Sequence, residues 1–72
     1  MNIVVLDKIV DEKTIIIYAD EVRYTLTVGE VVDGPFLLKS VDKAAQSATV
    51  QYGDVQVTLL LRQVVILQAP TS

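Results

Sequence analysis

The side chains of this sequence that can move a proton at neutral pH are carboxylates, and they come in short groups. Asp7 is followed by Asp11 and Glu12, Asp20 and Glu21, and Glu30 and Asp33, with Asp42 and Asp54 standing alone. Two converging carboxylates can work as an acid/base pair or hold a hard divalent cation. Here that would require two of these groups to meet at one pocket, and the residues around them read as turns, where carboxylates are ordinarily solvated. Other routes to catalysis are closed by composition. The chain has no cysteine and no histidine, which removes thiol and imidazole nucleophiles, Cys/His zinc sites and any disulfide framework. Ser40 and Ser47 have no base arranged to activate them. The stretch Gly29-Glu30-Val31-Val32-Asp33-Gly34-Pro35 is not a phosphate loop, since Pro35 and Phe36 follow it and no helix does. The residues therefore favour a protein that is not an enzyme and needs no cofactor or metal, with a hydrolase built on turn carboxylates as the one enzymatic reading left.

Aromatic rings on a sheet can stack nucleic-acid bases, and Tyr18, Tyr24 and Tyr52 all fall in strand-like segments. The charge balance argues against that use. Six Lys and Arg face nine Asp and Glu for a net charge of -3, and a phosphate-binding surface concentrates cations. The cations Lys8, Lys13, Arg23, Lys39, Lys43 and Arg62 are scattered. Half-buried packing with the hydroxyl at an edge is the expected role of the tyrosines. A nucleic-acid-binding β-barrel using Tyr24 or Tyr52 with Arg23, Lys39 and Arg62 is the alternative.

These residues are set on strands. No window carries a helical apolar stripe, and Val, Ile and Thr dominate the periodic segments, which suits pleated sheet. Strands are predicted at about Ile3 to Ile9, Thr14 to Ala19, Val22 to Val28, Phe36 to Val41, Ser47 to Tyr52, Val55 to Arg62 and Val64 to Leu67. The third is the clearest, with Val22, Tyr24, Leu26 and Val28 alternating against Arg23, Thr25 and Thr27. Asp20-Glu21 and Gly53-Asp54 read as tight connections, the second with Gly first as a II′ hairpin turn prefers. Gly29, Gly34 and Pro35 force a turn after the third strand. Asp42 to Gln46 is either one helical turn or a loose hairpin loop. The expectation is a single all-β domain over residues 1–67, a small β-sandwich or partly open barrel of six to seven short, mainly antiparallel strands, with a flexible tail at 68–72.

The chain has 72 residues and 51% of them are apolar. A domain of about 60 residues buries only roughly 60% of the surface its chain exposes, so some of these side chains should stay uncovered. Ile3 to Leu6, Ile15 to Ile17, Leu59 to Leu61 and Val64 to Leu67 are aliphatic on both pleat faces, whereas one face of each sheet looks inward. Either edge strands fold over the second faces or a partner subunit covers them, and oligomerisation through Ile16, Tyr18, Leu60, Val65 and Leu67 is the favoured reading. An exposed edge strand offers a further docking route. No apolar run approaches the roughly 18 residues of a membrane span. A complete chain would be cytoplasmic by default, and an excised domain need not be.

From Tyr24 through Leu61 the order of features resembles a known family. A strand leads to Val28-Gly29-Glu30, a short hydrophobic step to Gly34-Pro35, a strand to Val41-Asp42, a strand closing on Tyr52-Gly53, and the run Val55 to Leu61. Leu6 to Ala19 fits an opening hairpin. The progression is similar to the periplasmic homology-region domain of the C component of type II secretion systems and to the related pilus-assembly lipoprotein PilP. That resemblance implies a β-sandwich of six or seven strands, in the periplasm, that docks to the N-terminal domains of a secretin and carries no catalytic residues. The chain departs from the family in lacking a lipoprotein cysteine and in the apolarity of its last strand. A small bacterial or phage structural protein sharing only the fold is the other reading of the likeness.

Overall fold

The computed structural model describes residues 2–30 and 36–67. Its seven strands are β1 Asn2–Ile9, β2 Thr14–Ala19, β3 Val22–Thr27, β4 Phe36–Asp42, β5 Ser47–Tyr52, β6 Val55–Leu60 and β7 Val64–Leu67. They form a four-stranded sheet in the order β3-β2-β1-β7 and a three-stranded sheet in the order β4-β5-β6, with antiparallel pairing throughout. The all-β expectation is met as a two-sheet sandwich. Among the described residues one isolated parallel bridge, Leu6 to Leu61, links the sheets. Gly34, Pro35 and the tail at 68–72 lie outside the described residues.

Alternation decides which aliphatic side chains go inside. Val4, Leu6, Ile15, Ile17 and Leu26 of the first sheet and Phe36, Leu38, Val50 and Leu59 of the second are buried against one another. The sheets also meet through aromatic rings. Tyr24 of β3 lies 5.8 Å from Phe36 of β4, and Phe36 lies 5.1 Å from Tyr52 of β5, both tilted, within the range at which ring pairs attract.

Two strands break strict alternation. The inward side chains of β1 are Val4 and Leu6, then Ile9, and those of β4 are Phe36 and Leu38, then Val41. In each, the three-residue step coincides with a register shift, between Leu6 and Lys8 and between Leu38 and Ser40. A bulge adds one residue and returns the following side chains to the original face. The step places the polar residues Asp7, Lys8, Lys39 and Ser40 where they need not enter the core.

The connections follow local chemistry. Asp20 and Glu21 both take positive φ, 50° and 72°, the pattern of a I′ hairpin turn, whose twist matches that of the flanking strands. At Gly53-Asp54 only Gly53 has positive φ, 62°, as the II′ type requires. Asp42 to Gln46 is a hairpin loop and not a helical turn. The Asp42 carboxylate accepts the Ala45 N–H at 3.1 Å, and Gln46 closes the loop with φ 53°. Gly29, with φ 79° and open space around it, starts the turn after β3. β6 passes into β7 through Arg62, also at positive φ.

A left-handed φ costs a residue with a Cβ about 1–2 kcal/mol, and Glu21 is exposed at such a position. Glu21→Gly should stabilise the fold by about 0.5–1 kcal/mol, after allowing for the greater freedom of glycine in the unfolded chain. Leu59→Ala, in the closed core, should cost about 2–5 kcal/mol. Urea titration followed by far-UV circular dichroism measures both.

Candidate interaction surface

The inward set just described leaves a second, outward set on the four-stranded sheet. β1 contributes Ile3 and Val5, β2 contributes Ile16 and Tyr18, and β7 contributes Val64 and Ile66. Pairing places these side chains beside one another. Tyr18 lies opposite Val5, Val5 opposite Val64, and Ile3 opposite Ile66. Ile3 is 51% exposed, Val64 59% and Ile66 60%, so the row is open to solvent. Its border is polar, with Arg23 opposite Tyr18, and Thr25 and Lys8 on either side of Ile16. At one end Ile3, Val5 and Tyr18 line an open depression of about 490 Å3 with Asp20 and Glu21. An apolar patch rimmed by polar residues is the usual form of an interaction site on a small protein.

One carboxylate fixes the end of this surface. The Ile3 N–H donates to Asp20 Oδ1 at 2.8 Å, and the Asp20 N–H donates to the Ile3 carbonyl at 3.0 Å. Asp20 thus continues the β1–β2 ladder one step past Ala19 with its side chain, from a left-handed conformation that Asp tolerates better than most residues.

The residues expected at an interface are divided by the fold. Tyr18 and Ile16 are on the outer face, with Ile16 half-buried. Leu60 is exposed, but it belongs to the other sheet, paired with Ser47. Val65 and Leu67 turn inward, Leu67 being buried and Val65 packed half-buried against the core. The outward positions of β7 are Val64 and Ile66, and Ile3 and Val5 join them. Val64 to Leu67 is aliphatic at every position, so its parity cannot be read within the strand. Its register against Ile3, Val4 and Val5 of β1 settles it.

The candidate chemical groups are placed apart. Asp11 accepts the Lys13 N–H at 2.8 Å, Asp42 and Asp20 accept backbone N–H groups as described, and Asp7 lies 3.3 Å from the Arg62 guanidinium. These four carboxylates hold turns and strand ends. Among the described residues no group of three or more acidic side chains gathers where a metal could bind. Tyr52 is buried and Tyr24 half-buried, both against Phe36, which takes up ring faces that base stacking would use. Lys8, Lys43 and Arg62 do border one open depression, of about 430 Å3, shared with Asp7. Among the described residues no helix is long and apolar enough to cross a membrane. Comparison with family models, curated proteins and solved structures finds no match for the chain.

Asp20→Ala removes the acceptor of the Ile3 N–H and puts alanine at positive φ. It should cost about 1–2 kcal/mol in a urea titration, while Asp20→Asn, which keeps an acceptor and tolerates that φ, should cost less than half as much. Amide exchange at Ile3 should accelerate in the alanine variant only.

Proposed function

We propose that this chain is a non-catalytic assembly module that works by binding another protein chain, first of all a second copy of itself, at the outer side of the β3-β2-β1-β7 sheet. The observation that carries the reading is the contiguous outward row Ile3, Val5, Tyr18, Val64 and Ile66. Burying an Ile, Val or Leu side chain completely is worth about 1.5–3 kcal/mol, and three of these residues stand more than half exposed. Asp7, Asp11, Asp20 and Asp42 are engaged by backbone N–H groups or by Arg62, and Tyr24, Phe36 and Tyr52 pack together at the core, which favours this apolar surface as the feature that works. The resemblance of Tyr24 through Leu61 to the homology-region domain of secretion and pilus systems supports the same kind of work, docking without catalysis. It supplies no docking residue, and the site proposed here stands on the described surface.

Sedimentation equilibrium tests the reading. The chain weighs 7.9 kDa, and a species of twice that mass or more should appear as concentration rises. A single 7.9 kDa species at about 1 mM, where an association of only ~4 kcal/mol would already show, overturns it. Ile66→Lys places a charge in the middle of the row at an exposed position. It should leave the unfolding midpoint nearly unchanged at concentrations where the wild type is a monomer, and weaken self-association by at least about tenfold, or ~1.4 kcal/mol.

A further inference from the structure

The directions of the backbone groups say more than the exposed side chains do. Ile3 turns both its N–H and its C=O toward β2, to Asp20. In an antiparallel ladder, residues alternate between facing one neighbour and the other. Ile3 and Val5 therefore face β2, and their β7 partners Ile66 and Val64 form the pairs that do not exchange hydrogen bonds. It follows that Val64 and Ile66 point their N–H and C=O groups away from β1, to the side where the sheet ends. Among the described residues the same two carry the most exposed large aliphatic side chains, at 59% and 60%. On β7, backbone groups that meet no other described strand and open apolar side chains belong to the same residues.

The other sheet edges differ. On β3, the Val28 N–H bonds back to Lys13, so alternation turns Arg23, Thr25 and Thr27 outward, a charged and polar set. On β6, the Leu61 N–H bonds to Gln46 of the β4–β5 loop and the Gln63 N–H takes the Leu60 carbonyl. That leaves Gln56 and Thr58 facing out with polar side chains, and Leu60 with its carbonyl already taken. β4 is interrupted by its bulge beside Lys39. Charges, bulges and polar side chains are the usual guards of a sheet edge, and β7, Val64–Leu67, has none of them.

We infer that two copies of this chain pair antiparallel along β7, about a two-fold axis at Val65, so that two four-stranded sheets become one of eight strands. This rests on the reading that the chain self-associates and specifies where. With the axis at Val65, Val64 of each copy lies opposite Ile66 of the other, and the outward groups of both residues are used, giving four hydrogen bonds. Centring the axis on Val64 or Ile66 would join only one of the two residues to its own copy. Residues 63–67 carry no charge, so no like charges meet, although each chain is acidic overall. The outer rows also become continuous. Tyr18, Val5 and Val64 of one copy run on into Ile66 and Ile3 of the other.

The outer face by itself is small for a stacked partner. A face four strands wide and about six residues tall presents roughly 400 Å2 at spacings of about 4.8 and 3.3 Å, half of the about 800 Å2 per partner of a standard interface. Pairing at β7 depends instead on the four backbone hydrogen bonds, and it joins the two outer rows into one face about twice as wide.

The absence of cysteine makes single introduced thiols specific reporters. In the proposed register the two Val65 Cα atoms lie about 4.5 Å apart, within disulfide reach. At a concentration where the wild type sediments as a dimer, mild oxidation of Val65→Cys should give a linked dimer at least about tenfold faster than Gln56→Cys, an exposed position on β6. Because Val65 packs against the core, a second measurement uses exposed positions. In a mixture of Val64→Cys and mass-tagged Ile66→Cys, the mixed dimer should exceed both homodimers, whose thiols would sit on Cα atoms beyond the ~7 Å limit. If the wild type is a dimer and the mixed dimer is not enriched, β7 pairing is overturned and self-association stands. If the wild type is a monomer throughout, both fall.

Discussion

The structure depends on Leu6. Its side chain is fully buried, and its pairing with Ile17 sets the register of β2. Its carbonyl accepts the Arg62 N–H at 2.8 Å, and it forms the one described bridge to the end of β6. Three strands from two sheets therefore meet at one residue of β1. The bulge follows immediately, and its extra residue keeps Asp7 and Lys8 out of the core while Ile9 returns to it. Replacing that arrangement by straight alternation would direct Lys8 inward, where an unpaired ammonium is far more costly than the bulge.

This dependence explains how the molecule can be so apolar and still present an ordered surface. With Val4 and Leu6 fixed inward, Ile3 and Val5 are fixed outward, and β7 inherits its parity from them. The outer row is the complement of the core, positioned by the same register. The committed carboxylates belong to that logic as well. Asp20 extends the ladder at Ile3, and Asp11 and Asp42 shape the loops that let β2 and β5 return in register.

Much of this was legible in the sequence. Seven strands, the Gly53-Asp54 turn and the clean alternation of β3 follow from period-two patterning and turn residues, because those signals are local. The bulges were also written there, as Val4, Leu6, Ile9 and Phe36, Leu38, Val41, a step of two and then three, but a regular-strand reading passes over them. Val64 to Leu67 was a different matter. Four aliphatic residues in succession have no internal parity, and only pairing with β1 distinguishes Val64 and Ile66 from Val65 and Leu67. For the same reason Leu60 looked equivalent to Tyr18 until the sheet to which each belongs was known. Local pattern places elements, whereas the identity of a surface depends on partners distant in sequence.

That distance bears on how the molecule is made. β1 is the first described strand and β7 the last, and Ile3 pairs with Ile66 across a separation of 63 residues, 66 minus 3. Contacts so far apart require closure of a long loop, and such topologies gain them late in folding. Until β7 arrives, the side of β1 that faces it is itself an unguarded strand edge, with Val4 and Leu6 behind it. The segment that completes the sheet is thus also its protection during folding, and a chain interrupted before Val64 would present β1 to its neighbours instead.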